Sequence, residues 1–394
     1  MENSSSQLAY ALVTPYSIRK SRTGNILGRL LSRTGLDLVR GRMFAFSREL
    51  AEAFADNVVT DDPNPRHQAT QRLIRDYVID RLGPDAQGQR KRALLLVFHG
   101  QNAVEKVMET VGHIVHERTM GETIRDTYGD YLADGDGKPT YFEPAVLAAP
   151  SAELVQKDLQ LLAAHSGQAG GLLENIVPYP PEGNVEKTLV LIKPDNFRFP
   201  NARPGQVMDT FSRTGLNIIG FKVFGMSVAQ AEEFYGPVLA VLQDKLKGPS
   251  GARARLVIER ELGCELNDGV EKQLGELLGP INGRHNWETI IQFMSGRRPD
   301  EVKTPDEREE PGSEKCVAIV YQGIDAVKKI REVLGPTDPS KAPLGSIRKE
   351  FGVNIMVNAA HASDAAENAA REMGIIRIQE DNFRDLIERT YGAK

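Results

Sequence analysis

The pentapeptide Ser-Arg-Thr-Gly-Leu stands at residues 32–36 and again, 180 residues on, at 212–216. The likeness spreads outward from it. LVRGRMFAFSRELAEAF (38–54) lines up with IIGFKVFGMSVAQAEEF (218–234), pairing Phe44 with Phe224, Ser47 with Ser227 and Phe54 with Phe234. Upstream, ALVTPYS (11–17) answers VLIKPDN (190–196). Downstream, RALLLVFHGQNAVEKVMETVG (92–112) answers KCVAIVYQGIDAVKKIREVLG (315–335), now 223 residues apart because the inserts between differ in length. Self-similarity of this extent means that the chain holds two copies of one fold.

Each copy reads the same way. An apolar strand (8–13; 188–193) leads to an amphipathic helix ending at Arg-Thr-Gly, and a strand rich in β-branched residues follows (36–46; 216–226). Ser47 or Ser227 then opens a helix as N-cap. After an insert come a third strand (93–98; 316–321), a helix, a fourth strand and a last helix. This βαββαβ order predicts an α+β protein: two ferredoxin-like antiparallel-sheet domains in tandem, each with helices on one face. The division is 1–164 for the first domain, a Gly- and Pro-rich linker over 165–186, and 187–394 for the second. The second carries an insert at about 236–283, with helical patterns near 253–263 and 269–278. It carries another at 297–314, charged and Pro-containing, expected to be a solvated loop. Residues 56–91 and 129–144 are comparable inserts in the first copy.

A chain of 394 residues suits two domains, and 40% hydrophobic with 26% charged residues is ordinary for a soluble globular protein. The net charge of −5 lends no support to nucleic-acid binding as the main business. Cys264 and Cys316 offer neither a disulfide framework nor a zinc spacing, which points to the reducing cytoplasm. No run approaches eighteen apolar residues, and MENSSSQLAYALV lacks a basic stretch ahead of an apolar core. Neither a membrane span nor a signal peptide is expected.

The chemistry gathers in RKEFGVNIMVNAAHASDAAENAAREMG (348–374). A β-like run (Val353, Ile355, Val357) leads to Asn358, His361, Ser363 and Asp364, then to an Ala-rich helix. Asp364 reads as its N-cap with Glu367 three residues on, and Gly374 as its stop. His361 then sits just before a helix N-terminus, where free N–H groups and the helix dipole favour an anion. A neutral imidazole there can attack a phosphoryl group and keep it; it can equally be a satisfied turn residue.

With these residues in hand, the second copy resembles the nucleoside diphosphate kinase family over most of 187–380. TLVLIKPD (188–195) is similar to the family's first strand with its phosphate-contacting lysine. GIDAVKKIREVLGPTDPSKAPLGSIRKEFG (323–352) is similar to the run ending in its nucleotide-clamping arginines. NAAHASD (358–364) is similar to its active-site motif, with Ala362 where the family has glycine, a change expected to stiffen or shift the turn. The resemblance implies that His361 becomes phosphohistidine, that Glu372 holds the other ring nitrogen, and that Ser363 sits beside them. It implies that Arg331, Thr337 and Arg348 hold phosphates, that Lys193 reaches phosphate and sugar, that Asn358 meets the sugar hydroxyls, and that Tyr235 packs beside Lys193. It implies a base held between Ile355 and an aromatic residue, Trp287 by position, with His285 near the α-phosphate. It further implies ping-pong transfer between nucleoside tri- and diphosphates, Mg²⁺ on the phosphates, and a homo-oligomer. One at a time these are ordinary solvated or strand-end residues; their joint order carries the reading.

The first copy departs from that set. Thr14-Pro15-Tyr16 stands against Lys193-Pro194-Asp195, Ala55 against Tyr235, Met108 against Arg331, and Ile114 near Thr337. Leu147 stands against Asn358 and Pro150 against His361; Arg125 alone matches, with Arg348. Proline has no nucleophilic nitrogen, so this copy is expected to be degenerate and to pack against the other. The alternative reading of the whole chain is a nucleotide-binding regulatory or scaffolding protein with little kinase activity.

Overall fold

A computed structural model describes residues 6–59, 65–114, 121–136 and 139–392. Residues 60–64 and 137–138, within the two first-copy inserts, lie outside the described residues. The chain forms two compact units: Met1–Phe224 with Val317–Lys394, and Gly225–Cys316. Both repeat copies contribute their sheets to the first unit, while the second is the enlarged insert.

In the first copy β1 (Ser6–Val13), β2 (Asp37–Ala45), β3 (Arg92–Gln101) and a hairpin of β4 (Asp130–Ala133) and β5 (Pro139–Glu143) are followed by the two-residue β6 (Val146–Leu147). Its main helices are α1 (Thr23–Thr34), α2 (Arg48–Val58), α3 (Ala103–Val111) and α4 (Ala152–Ala169), with further helical segments at Pro15–Arg19, Pro65–Tyr77, Val78–Leu82 and Ile124–Tyr128. The sheet order is β2-β3-β1-β6, antiparallel at every pairing. The second copy repeats this with β7 (Val185–Ile192), α5 (Arg203–Ser212), β8 (Asn217–Gly225), β9 (Lys315–Ile324) and β10 (Ala360–Ala362), in the order β10-β7-β9-β8. The helix openings behave as their sequences require. Ser47 Oγ accepts the N–H of Leu50, and Ser227 with Gln230 forms a complete capping box. The central strands are apolar on both faces, as Leu94–Phe98 and Val317–Tyr321 show by their burial.

The copies pack through equivalent helices. A Cβ on Gly205 of α5 would lie 2.3 Å from both the Gly24 carbonyl oxygen and the Gly28 nitrogen of α1. Only glycine permits that approach. Asn25 Nδ2 donates to Asp209 Oδ1 across the same crossing at 2.6 Å.

The segment read as a linker begins inside α4, which runs to Ala169, and continues across the second sheet. There the Leu173 N–H donates to the Ile219 carbonyl and the Tyr179 hydroxyl to that of Gln322. The last helix of the chain makes the reciprocal crossing onto the first copy. Asp381 pairs with Arg42 at 3.3 Å, the Asn382 carbonyl accepts from Arg40 Nε, and Phe383 meets the Phe44 ring edge-on at 6.1 Å. A free linker would have left backbone groups to water; these pair instead.

The second unit is helical: α6 (Val228–Lys245), α7 (Lys247–Leu262) and α8 (Asp268–Ser295). The expected helices near 253–263 and 269–278 are thus longer, and α6 and α8 run through Pro237 and Pro280. The stretch 297–314 is not simply a solvated loop. Pro305–Glu309 forms a helical turn behind a Thr304–Glu307 capping box, and Arg297 and Arg308 pair with Glu310 and Glu232. Among the described residues no helix is long and apolar enough to cross a membrane.

Candidate active site

The remaining helices of the second copy position the site: α9 (Ala326–Leu334), α10 (Ile347–Phe351), α11 (Ala366–Ile375) and α12 (Asn382–Tyr391). His361 lies on β10, opposite Leu191 of β7. The helix behind it starts later than its sequence implied. Ala365 is the N-cap with no side-chain bond, and Asp364 instead accepts from Asn368 Nδ2 at 2.6 Å. That bond leads the causes that hold the Asp364 carboxyl below its usual range, with Arg331 and His361 adding smaller contributions. Gly374 does not stop the helix, which continues to Ile375. The β-like run over Val353–Val357 is a loop, because Asn354 Oδ1 accepts the N–H groups of Met356 and Val357 and folds the chain back.

His361 Nε2 lies 3.0 Å from Glu372 Oε2, and Ser363 Oγ donates to the same oxygen at 2.6 Å. Glu372 is only 4% exposed, so these bonds satisfy a buried carboxylate. A carboxylate only accepts, so Nε2 carries the proton and Nδ1 is the unprotonated ring nitrogen. Ala362 occupies an extended strand position paired with Val190 and needs no left-handed backbone. Alanine there does not shift the turn. The left-handed residue is Ala359, at φ 68°, which turns the chain between Asn358 and the strand; such a position costs an alanine about 1 kcal/mol.

Lys193 directly follows β7 and is buried. Its ammonium donates to the Asn358 Oδ1 at 3.0 Å and to the Met356 carbonyl. Asn358 Nδ2 in turn donates to the Thr337 and Ile355 carbonyls. Arg348 spans the backbone on two sides, with Nη1 donating to the Gly335 carbonyl and Nη2 to that of Ala360. Arg331 and the Thr337 side chain are exposed, and Ile355, 62% exposed, projects from the 352–357 loop. One fold thus gathers His361, Glu372, Ser363, Lys193, Asn358 and Arg348. Beside Arg331 a depression of about 480 Å³ is bounded by Glu186, Asp325, Lys328, Glu332 and Asp364, but does not reach His361.

Tyr235, Trp287 and His285 belong to the helical unit. Trp287 is not an open stacking face: it is buried there, its indole N–H donating to the Tyr235 carbonyl at 2.9 Å. Tyr235 packs on Phe234, with ring centroids 5.0 Å apart, and His285 is exposed.

Sequence reasoning passed over Asn196, Asp195 and Arg203. Asn196, fully buried, donates to the Lys193 and Ala359 carbonyls and ties the lysine to the turn before His361. Asp195 accepts from Arg203 at 3.1 Å. Its place beside Lys-Pro was the available signal.

The first-copy register also differs from the sequence alignment. Thr14 N–H bonds the Ala145 carbonyl as Lys193 N–H bonds that of Ala359, and Ala145 shares the positive φ. β6 then places Leu147 opposite Leu12, where His361 stands opposite Leu191. Leu147, not Pro150, therefore answers His361, and Pro144 answers Asn358. The loop corresponding to 353–357 is replaced by the β4–β5 hairpin, anchored by Tyr77 to Glu143 at 2.7 Å and by Tyr16 to Asp130. Leucine is no more a nucleophile than proline, so the copy remains degenerate at that position.

The site is thus a carboxylate-backed histidine on a ferredoxin-like sheet of an α+β protein, with a lysine and an arginine bound around it. The nucleoside diphosphate kinase family profile matches residues 186–240 and 309–381. A nucleoside diphosphate kinase from Cereibacter sphaeroides is 30% identical over 48% of this chain and 91% of its own length. One from Staphylothermus marinus is 27% identical over 51% of this chain and 99% of its own. Among solved structures, an NDP kinase from Pyrobaculum aerophilum covers 50% of this chain and 97% of that one at 27% identity, with a TM-score of 0.32. The chain belongs to the nucleoside diphosphate kinase family.

Proposed function

We propose that the second copy moves phosphoryl groups between nucleotides with His361 as the carrier. The bond from His361 Nε2 to Glu372, which leaves Nδ1 unprotonated on a ring 24% exposed, is the observation that carries this reading. Nδ1 attacks the γ-phosphorus of a nucleoside triphosphate; the N–P bond forms, the bond to the β–γ bridging oxygen breaks, and the diphosphate leaves. A second diphosphate then attacks phosphohistidine through a terminal phosphate oxygen, completing a ping-pong cycle. The ring gains positive charge in the first half, and the Glu372 carboxylate stabilises it.

Lys193, Arg331 and Arg348 would neutralise phosphate charge, the arginines by paired N–H donors. Thr337 would add a hydroxyl and Asn358 would meet the sugar, while Ile355 would form one jaw for the base. Among the described residues no group of three or more His, Cys, Asp or Glu side chains gathers to hold a metal. Mg²⁺ fits here as an ion carried on nucleotide phosphate oxygens and water, neutralising their charge. In this reading the first copy is degenerate, the chain assembles as a homo-oligomer, and its setting is the cytoplasm.

The test is incubation with γ-labelled nucleoside triphosphate. An acid-labile phosphoenzyme that passes its label to added diphosphate, and that vanishes in His361→Ala, supports the reading. Equal labelling of that variant would sink it.

A further inference from the structure

Two arginines at the openings of α1 and α5, Arg22 and Arg203, tie down the residue that closes a short helix in each copy, Ile124–Tyr128 in the first and α10 in the second. Arg203 Nη2 donates to the Phe351 carbonyl, and its guanidinium lies over the Phe351 ring at 5.9 Å. In the first copy Arg22 Nη1 donates to the Tyr128 carbonyl. Gly352 and Gly129 follow, each with its N–H on the carbonyl of the equivalent arginine, Arg348 or Arg125. The arginine-to-carbonyl bond is therefore framework shared by both copies.

The third member is what differs. In the second copy Asp195 Oδ2 accepts from the same Arg203 Nη2 at 3.1 Å, and Asp195 is 7% exposed. Its counterpart in the first copy is Tyr16, whose hydroxyl turns to Asp130 on the hairpin that replaces the loop. The carboxylate is present only beside the copy that carries histidine and lysine. It also sits two residues after Lys193, whose ammonium fixes the far end of the same loop at Met356 and Asn358. The 352–357 loop is thus held at both ends from one stretch, Lys193–Asp195, and between those anchors it exposes Val353 and Ile355.

We infer that Asp195 is a positioning residue: by orienting Arg203 on the Phe351 carbonyl it sets the 352–357 loop at the height where a nucleotide is gripped. This rests on the kinase reading for the ligand's identity. Asp195 touches no reacting atom, so its loss acts on binding and leaves the transfer step at saturation intact.

The experiment compares wild type, Asp195→Asn, Asp195→Ala, Arg203→Met and the first-copy control Arg22→Met. Steady-state constants and the equilibrium affinity for Mg·ADP are both measured, with thermal melts to verify folding. Expected are a roughly tenfold rise in KM and in the ADP dissociation constant for Asp195→Asn and Arg203→Met, the scale of one charge-assisted bond. The kcat stays within about threefold, because the loop bears on binding rather than on chemistry, and Arg22→Met leaves both constants at wild-type values. Unchanged KM and ADP affinity in the Asp195 and Arg203 variants would overturn the inference, as would an equal loss in Arg22→Met or a fall confined to kcat. A wild type that binds ADP but forms no phosphohistidine defeats the kinase reading alone, and the ADP affinities still decide the role of Asp195. A wild type that does not bind ADP overturns both.

Discussion

Arg125 and Arg348 make the same two bonds in the two copies. Each gives Nη1 to a glycine carbonyl, Gly112 or Gly335, and Nη2 to the first residue of the short edge strand, Val146 or Ala360. The match explains why arginine persists in a copy whose histidine position holds leucine. It closes the fold between the third helix and the edge strand, whatever it does for phosphate. Burial pulls the Arg125 guanidinium down to about 10, so it is still charged at neutral pH.

Arg125→Met should therefore act on stability alone. It leaves the Gly112 and Val146 carbonyls unpaired inside the first copy, at a cost of about 2–4 kcal/mol. Denaturant titration checks this, and activity per folded molecule should be unchanged. A loss below about 0.5 kcal/mol, the scatter of surface substitutions, would contradict the structural role.

Glu372→Gln keeps the side-chain shape but offers a single acceptor oxygen to two donors, His361 and Ser363. The imidazole then loses its charged partner, and phosphoenzyme formation should slow by about 10–10²-fold while nucleotide affinity is kept. Rapid-quench labelling measures it; a rate equal to wild type would remove Glu372 from the mechanism. His361→Ala should form no phosphoenzyme at all and still bind nucleotide.

Lys193→Ala and Arg348→Ala should each lower kcat/KM by about 10²–10³, the scale of losing one positioned charge donor. Arg348→Ala should in addition lose stability in the way Arg125→Met does, because its two carbonyl partners are equivalent. Steady-state kinetics with less than a threefold loss for both would contradict their place in the site.

Asp158 supplies the pH dependence. Burial, opposed by bonds from Tyr10 and Asn57, raises its carboxyl to about 6. The folded state thus holds a proton that the unfolded chain releases near the ordinary value. Stability from this group is full below about pH 4 and lost as pH rises to about 6, amounting to about 3 kcal/mol at most. Asp158→Asn should flatten stability across that window and leave the protein at least as stable at pH 7. Melts from pH 4 to 8 decide it; an unchanged slope between pH 4 and 6 would show that Asp158 is not its source.

Gly205→Ala places a methyl against the backbone of α1 and should cost about 1–3 kcal/mol through the contact between the copies. Residues 181–394 alone should aggregate or melt lower, since they expose the faces that α1 and β2 cover. Light scattering showing a monodisperse, equally stable and active fragment would make the first copy a passenger.

The repeat and the βαββαβ element order were readable because they live in strand alternation, caps and long matching runs; the residues expected around His361 came instead from the likeness of several separated motifs to one family. What escaped has local causes. β6 is two residues long, so nothing in the pattern anchored its register, and the left-handed Ala145 that marks it looks like any alanine. Asp364 has the composition of an N-cap, but its carboxylate goes to Asn368, a choice fixed by the strand entering α11. Trp287 reads as a candidate stacking residue until its indole is found on the Tyr235 carbonyl. The helical patterns near 253–263 and 269–278 fell short of the real helices, α7 and α8; α8 runs on through Pro280 to Ser295, as α6 runs through Pro237. Arg203 escaped because its backbone partner, the Phe351 carbonyl, lies 148 residues along the chain; Asp195, beside Lys-Pro, was passed over with it.

The crossing of α12 onto the first copy has a consequence for synthesis. Arg40 waits for a carbonyl 342 residues further on, and Phe44 for the ring of Phe383. When the first copy leaves the ribosome, that edge of its sheet is open and stays open until Asn382 and Phe383 have been made. Local order forms early, but closure is delayed by the whole second copy. The first copy therefore closes only after the second has been made, and a chain interrupted before Asp381 leaves Arg40, Arg42 and Phe44 without these contacts.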